Sequence, residues 1–157
     1  MQNIILDIDH CLIYASFKEL QGIELVSRRD FFYLYHRPNL KSFLKCITDQ
    51  NLNIIFYTSA KKEYAKWIVG TFNLKIPYKL FSRKNTKIKS SEYGDRYLKS
   101  IDYLNLNLEP TKTMILDDSP QHWIVTDETL LDIDPWHGEA DDNQLKLIMS
   151  QIVKKDN

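Results

Sequence analysis

The sequence predicts an α/β protein: a central parallel sheet flanked by helices, with a short β-hairpin flap after the first strand and no large cap domain. Three observations carry that prediction. Three short apolar, β-branched runs, Asn3-Ile4-Ile5-Leu6, Ile54-Ile55-Phe56-Tyr57 and Thr113-Met114-Ile115-Leu116, each end in polar side chains, as strands buried on both faces do. Helical periodicity separates and follows them. A length of 157 residues with 43% hydrophobic content suffices for one sizeable core, so residues 1–157 are expected to form one domain, with the flap at about 13–36.

Strand one delivers Asp7 and Asp9 to its carboxyl end, where open α/β sheets bind ligands. Asp-x-Asp is also ordinary turn chemistry, and this stretch alone leaves both readings open. Next, Ile23-Glu24-Leu25-Val26 and Phe31-Phe32-Tyr33-Leu34-Tyr35 suggest two strands joined through Ser27-Arg28-Arg29-Asp30, either a flap over the strand end or an extension of the core. Arg37-Pro38-Asn39 opens a helix with Leu40, Phe43, Leu44 and Ile47 on one face. The second strand ends in Thr58-Ser59 ahead of a helix whose apolar face is Tyr64, Ile68 and Phe72; the hydroxyls either hold an anion at that helix end or, for Ser59, cap it. Tyr78-Lys79-Leu80-Phe81 reads as a strand, followed by a basic loop with Arg83, Lys84, Lys87 and Lys89. Lys99 lies in a short segment, 97–101, read as helical. The third strand ends in Asp117-Asp118, then Ser119 as N-cap and Pro120 at the first helical position. Thr129-Leu130-Leu131 is a further strand, and Leu145, Ile148, Met149 and Ile152 mark a closing helix.

Lys+Arg and Asp+Glu both total 21, so net charge favours neither a nucleic-acid coat nor a membrane binder. From Thr113 onward ten acids face three lysines, a net of −7 that leaves +7 on the rest. Cys11 and Cys46 lack the spacing of a disulfide scaffold or zinc site, which fits a reducing compartment. No apolar run approaches the roughly 18 residues of a membrane span. The amino terminus lacks a signal-peptide layout. The expectation is a monomeric intracellular protein, cytoplasmic, or nuclear in a eukaryote, with no membrane partner.

The strand ends carry, in order, Asp-x-Asp, Thr-Ser and Asp-Asp, with Lys99 between the last two. Carboxylates from two strands are the hard oxygen ligands Mg²⁺ takes, and a lysine with a hydroxyl supplies donors for phosphoryl oxygens. This is the layout of a phosphoryl-transfer site without a nucleotide loop.

These motifs resemble the haloacid dehalogenase superfamily of aspartate-nucleophile phosphatases. Within it, the resemblance is closest to the Fcp/Scp, or NIF-like, small phosphatases of the RNA polymerase II carboxy-terminal domain. Leu6-Asp7-Ile8-Asp9, Tyr14-Ala15-Ser16-Phe17, His36-Arg37-Pro38, Tyr57-Thr58-Ser59-Ala60, Tyr97-Leu98-Lys99, Leu116-Asp117-Asp118-Ser119-Pro120 and Pro135-Trp136 carry it nearly end to end. The resemblance implies a haloacid-dehalogenase-like fold and a Mg²⁺-dependent phosphomonoesterase acting on a phosphoprotein. Asp7 would be nucleophile and Asp9 acid and base. Asp7, the Asp9 carbonyl and Asp117 would bind Mg²⁺, with Thr58, Ser59 and Lys99 on the phosphoryl group. Asp118 would support the lysine or metal waters, and Phe17, Arg37 and Tyr64 would line a substrate pocket. His10 and Cys11 stand where the family has an acidic residue and Thr, which predicts a looser turn around Asp9, with His10 exposed. Lys61 replaces an apolar pocket residue. The alternatives are phosphorylated nucleic-acid ends held by Arg83, Lys84, Lys87 and Lys89, small phosphate esters, or an inactive phospho-binding module.

Overall fold

The computed structural model describes residues 2–124 and 129–155. Asp127, Glu128 and Asp156 of the acidic end lie outside the described residues. The strands are β1 (Asn3–Leu6), β2 (Ile13–Ser16), β3 (Ser27–Arg29), β4 (Phe32–His36), β5 (Asn53–Tyr57), β6 (Tyr78–Phe81), β7 (Lys87–Ser91), β8 (Gly94–Leu98), β9 (Thr113–Leu116) and β10 (Thr129–Leu131). Between and after them run the helices α1 (Leu40–Asp49), α2 (Lys62–Gly70) and α3 (Gln144–Lys155).

A five-stranded sheet in the order β10-β9-β1-β5-β6 is parallel throughout. β1 is central, and Leu6 pairs with both Phe56 and Leu116. β1 and β9 therefore end level and β5 runs one residue further, to Tyr57, so the residues that follow the three strands meet at one edge. The chain leaves β1 towards β5 and later returns to its other side at β9, the strand-order reversal that opens a crevice at the carboxyl ends.

Alternation along the strands sorts the core into two layers. Ile4, Leu6, Ile54, Phe56, Met114 and Leu116 face the apolar sides of all three helices, including Phe43, Ile47, Ile68, Leu145 and Ile148. Ile5, Ile55 and Ile115 face Ile101, Leu104 and Trp123. Among the described residues that second layer is covered by the 3₁₀ turn Ile101–Leu104, by Leu106 and Leu108 after it, and by the segment carrying Trp123. Each such buried aliphatic side chain contributes about 1.5–3 kcal/mol of transfer free energy.

The flap is a three-stranded antiparallel sheet, β2-β4-β3, rather than a two-stranded hairpin. The expected strand at 23–26 is not formed, and Ser27–Arg29 pairs instead. Asp30 in the left-handed region (φ 52°) makes the tight turn that joins Arg29 to its partner Phe32. Turn geometry therefore sets the register ahead of hydrophobic content. The segment 97–101 is also not a helix: it is extended through Lys99, and only Ile101 enters a 3₁₀ turn. β8 continues as extended chain through Lys99, whose N–H donates to His122 O at 2.8 Å and whose carbonyl accepts from Ile124 N at 2.8 Å. Five residues are too few for periodicity to separate strand from helix. Among the described residues no helix is long and apolar enough to cross a membrane.

Candidate active site

Asp7 follows β1 directly, and its N–H donates to Leu116 O at 2.9 Å, so it stands level with Asp117 at the end of β9. It is 7% exposed. Beyond it the chain doubles back: Leu12 N and Ile13 N donate to Ile8 O, and His10 N donates to Ile13 O. His10 takes the left-handed conformation (φ 60°) this turn requires. It is half-buried rather than exposed, with Nδ1 3.2 Å from Trp136 O and its ring 4.7 Å from that of His137.

The turn is braced from three sides, contrary to the looseness expected from Cys11. The buried Cys11 thiol donates to Leu116 O at 3.7 Å, and Trp136 N donates to His10 O at 2.7 Å. Burial pushes the Cys11 thiol well above its usual range, with the Asp7 and Asp117 carboxylates adding to that shift, so it stays protonated and able to donate. Arg37 is the third brace, and this overturns its assignment to a substrate pocket. Its side chain is wholly buried; NH1 donates to Cys11 O at 3.1 Å, while Nε and NH2 form a fork onto Asp142 at 2.8 and 2.7 Å. A cation closed off from solvent this way holds the loop and has no face left for substrate.

Lys99 joins the two acidic strand ends. Its Nζ lies 2.5 Å from Asp7 Oδ1 and 2.7 Å from Asp117 Oδ2. Asp117 also accepts from Trp123 Nε1 at 2.6 Å and from Ser119 N at 2.8 Å. One carboxylate oxygen each from Asp7, Asp117 and Asp118 lie within 4.8 Å of one another. Asp118 accepts from Ser119 Oγ at 3.2 Å. Ser119 makes no side-chain cap to the 3₁₀ turn that follows.

Burial is the main force raising the Asp7 carboxyl well above the carboxylate range; Lys99 pulls it back and Asp117 adds to the rise. Burial, then Asp117, raises Asp118. Burial alone would lower Lys99, but Asp7 and Asp117 outweigh it and hold the ammonium charged. Three neighbouring carboxyl groups share one ammonium at this site. That donor set, all hard oxygens from two strand ends, fits a divalent cation such as Mg²⁺. The Asp9 carboxylate is not in this cluster.

Thr58 is buried, and its Oγ1 accepts from Ala60 N at 3.0 Å, which leaves its hydroxyl proton free to donate. Ser59 is not the cap of α2; that position is Lys61, which makes no side-chain cap bond. The Ser59 carbonyl instead accepts from Arg83 Nε at 2.7 Å, and the Arg83 guanidinium lies 4.6 Å from the centre of the Tyr97 ring.

Asp9 is raised chiefly by burial, opposed first by its hydrogen bond from Tyr64, whose hydroxyl donates to Oδ1 at 2.6 Å. Tyr64 belongs to an aromatic row: Phe32 is 5.9 Å away and Phe17 a further 5.0 Å, and Trp67 lies 5.8 Å from the Tyr64 ring. Phe17 is 72% exposed, so the row opens to solvent at its far end. Sequence reasoning named Phe17 and Tyr64 but missed Phe32, Trp67, Trp123 and Asp142. Phe32 was visible only as a member of an apolar run, Trp67 lies off the helix face read from Tyr64, Ile68 and Phe72, and Trp123 and Asp142 carry no local signal. The basic stretch is mostly a hairpin. Lys89 lies directly opposite Arg96, Lys87 reaches 4.5 Å over Tyr103, and β8 leads into Lys99.

A family model for NLI interacting factor-like phosphatases matches residues 2–155. The chain is 26% identical over 153 residues to a probable C-terminal domain small phosphatase of Dictyostelium discoideum, covering 92% of this chain and 47% of that protein. It is 27% identical over 157 residues to CTD small phosphatase-like protein 3 of Caenorhabditis elegans, covering 94% and 52%. The chain thus spans about half the length of these relatives. The solved structure of Fcp1, an essential RNA polymerase II CTD phosphatase, superposes with a TM-score of 0.63 at 17% identity, covering 99% of this chain and 48% of that one, which shows the fold.

Proposed function

Because this chain belongs to the family of NLI interacting factor-like phosphatases, we propose that it hydrolyses phosphate monoesters through an aspartyl-phosphate on Asp7, and that its substrate is a phosphorylated protein. The observation that carries this reading is the meeting of Asp7, Lys99 and Asp117 at one sheet edge, with a differently held carboxyl, Asp9, two residues on.

A carboxylate oxygen of Asp7 attacks phosphorus as the bond to the leaving oxygen breaks, and Asp9 gives its proton to that oxygen. Water then attacks the aspartyl-phosphate and passes a proton to Asp9, and the phosphorus–oxygen bond to Asp7 breaks to release inorganic phosphate. The ammonium of Lys99 and the hydroxyls of Thr58 and Ser59 donate to the phosphoryl oxygens. Asp7, Asp117 and the main-chain carbonyl of Asp9 would hold Mg²⁺, which supplies the positive charge that offsets the phosphoryl group. Asp118 would steady this set through hydrogen bonds.

The test is hydrolysis of para-nitrophenyl phosphate in Mg²⁺ by the purified chain. Asp7→Asn is expected to fold normally and lose turnover, and full activity in that variant would sink the assignment of the nucleophile.

One feature favours a second substrate class, a phosphorylated nucleic-acid end. Lys89 and Arg96 face each other across the exposed hairpin, a like-charge pair that costs stability unless an anion meets it. On this reading Lys84, Lys87 and Lys89 contact the phosphate backbone, and binding of a phosphorylated oligonucleotide falls steeply with salt. A flat salt response argues against it.

A further inference from the structure

Tyr64 stands on α2, and its hydroxyl reaches 55 residues back in sequence to Oδ1 of Asp9. A carboxyl has two oxygens, and rotation about its last side-chain bond is soft, so an unheld Asp9 would present either one to a leaving group. A hydroxyl that donates to a neutral carboxyl does so best at the carbonyl oxygen, the one that does not carry the proton. With Oδ1 occupied by Tyr64, the proton of a neutral Asp9 belongs on Oδ2.

The Tyr64 ring is held in its turn. Phe32 and Trp67 meet it edge-on at interplanar angles of 67° and 70°. The Trp67 indole N–H donates to Ser27 Oγ at 3.3 Å. Phe32 and Ser27 belong to β4 and β3, so the flap as well as α2 fixes the ring.

We propose that Tyr64 is a positioning residue: it pins Oδ1 so that Oδ2 of Asp9 is the oxygen that gives and takes the proton, and through Phe32 it couples that orientation to the flap. The inference rests on the reading of Asp9 as acid and base. A substrate lying against Phe17 and Phe32 would bear on the same aromatic support that aims Asp9.

The experiment compares kcat/KM for phenyl phosphate and para-nitrophenyl phosphate in wild type and Tyr64→Phe. The two esters have the same shape around phosphorus, and kcat/KM reports the phosphoryl-transfer step. Phenolate is the poorer leaving group and needs the proton from Asp9, whereas para-nitrophenolate leaves well as an anion. Tyr64→Phe is expected to lower kcat/KM for phenyl phosphate roughly 10-fold or more, within the range of general acid catalysis, and for the nitro ester no more than about 2-fold. An equal loss on both esters, or no loss on either, overturns the positioning role. If Tyr64→Phe does not fold, Phe32→Leu is the second variant. It keeps the hydroxyl and loosens the ring's support, and any contact between Phe32 and substrate is common to the two esters, so it should show the same selective loss at smaller size, and an unselective loss again overturns the role. A wild-type chain that hydrolyses neither ester overturns the phosphatase reading and the positioning role together. An active wild type with unselective variants overturns the positioning role alone.

Discussion

Arg37→Met should destabilise the protein by about 3–5 kcal/mol, the cost of breaking a buried ion pair from one side. The Arg37 side chain is wholly buried and that of Asp142 only 11% exposed. Removing the guanidinium deletes two charge-assisted bonds to Asp142 and leaves the Cys11 carbonyl without that donor. At about 1.5–3 kcal/mol for each bond to a charged group, the two bonds to Asp142 alone account for roughly 3–6 kcal/mol, the same range reached independently. Against a typical total of about 5–15 kcal/mol, that is a large share of the stability. The assay is urea unfolding followed by tryptophan fluorescence, since Trp123 and Trp136 are buried. With a slope of about 2 kcal/mol per molar urea, the midpoint should fall by roughly 2 M. The double variant Arg37→Met with Asp142→Leu should recover most of the loss, because it buries no unpaired charge. A single-variant cost below about 1 kcal/mol, or a double variant that costs the sum of the two singles, would refute the reasoning.

Lys99→Met leaves Asp7 and Asp117 facing each other with no cation between them, and should lower kcat by roughly 10²–10³-fold in a steady-state assay; a loss under 10-fold would remove Lys99 from the phosphoryl site. Burial holds the His36 imidazole down at about 4, from an ordinary 6.5, and its Nε2 pairs with Thr71 Oγ1 at 2.8 Å. The unfolded chain therefore takes up this proton before the folded one does. The stability this residue contributes is fully present above pH 6.5 and is lost as pH falls towards 4. The loss is at most ~3 kcal/mol, and about 1–2 after allowing for partial exposure. His36→Gln should flatten that part of the stability–pH curve, and parallel curves for the two proteins would contradict it. Cys11→Thr should leave kcat unchanged or raised and stability within about 1 kcal/mol, because a hydroxyl can replace the thiol as donor to Leu116 O; a large loss of kcat would show that the thiol has a role of its own.

Much of the fold was legible because the signals are local. β1, β5 and β9 announce themselves as apolar runs, and the periodicity of Leu40, Phe43, Leu44 and Ile47 places α1 with those four residues buried. The flap was legible as a region but not in its pairing, because a left-handed Asp30 set the register. The segment around Lys99 was misread because its extended form is imposed by hydrogen bonds to 122–124, beyond the reach of any short window. In the candidate site, Asp7, Thr58, Asp117 and Asp118 were named from strand ends and Lys99 from a segment read as helical, and the structure brings Asp7, Lys99 and Asp117 into direct contact.

By itself the sequence determined that Asp7, Thr58 and Asp117 stand at the carboxyl edge of the sheet, since a parallel strand with an apolar body delivers its next residue there whatever surrounds it. What each side chain does there was decided only by tertiary structure. Arg37 reads as a substrate contact until its fork onto Asp142, 105 residues away, closes it off. Tyr64 reads as a pocket wall until its hydroxyl is found on Asp9. Trp123 has no role in the sequence until its indole meets Asp117. The physical reason is desolvation: the energy of a charge or a hydrogen bond depends on which distant groups exclude water from it, and that is a property of the assembled core rather than of any segment.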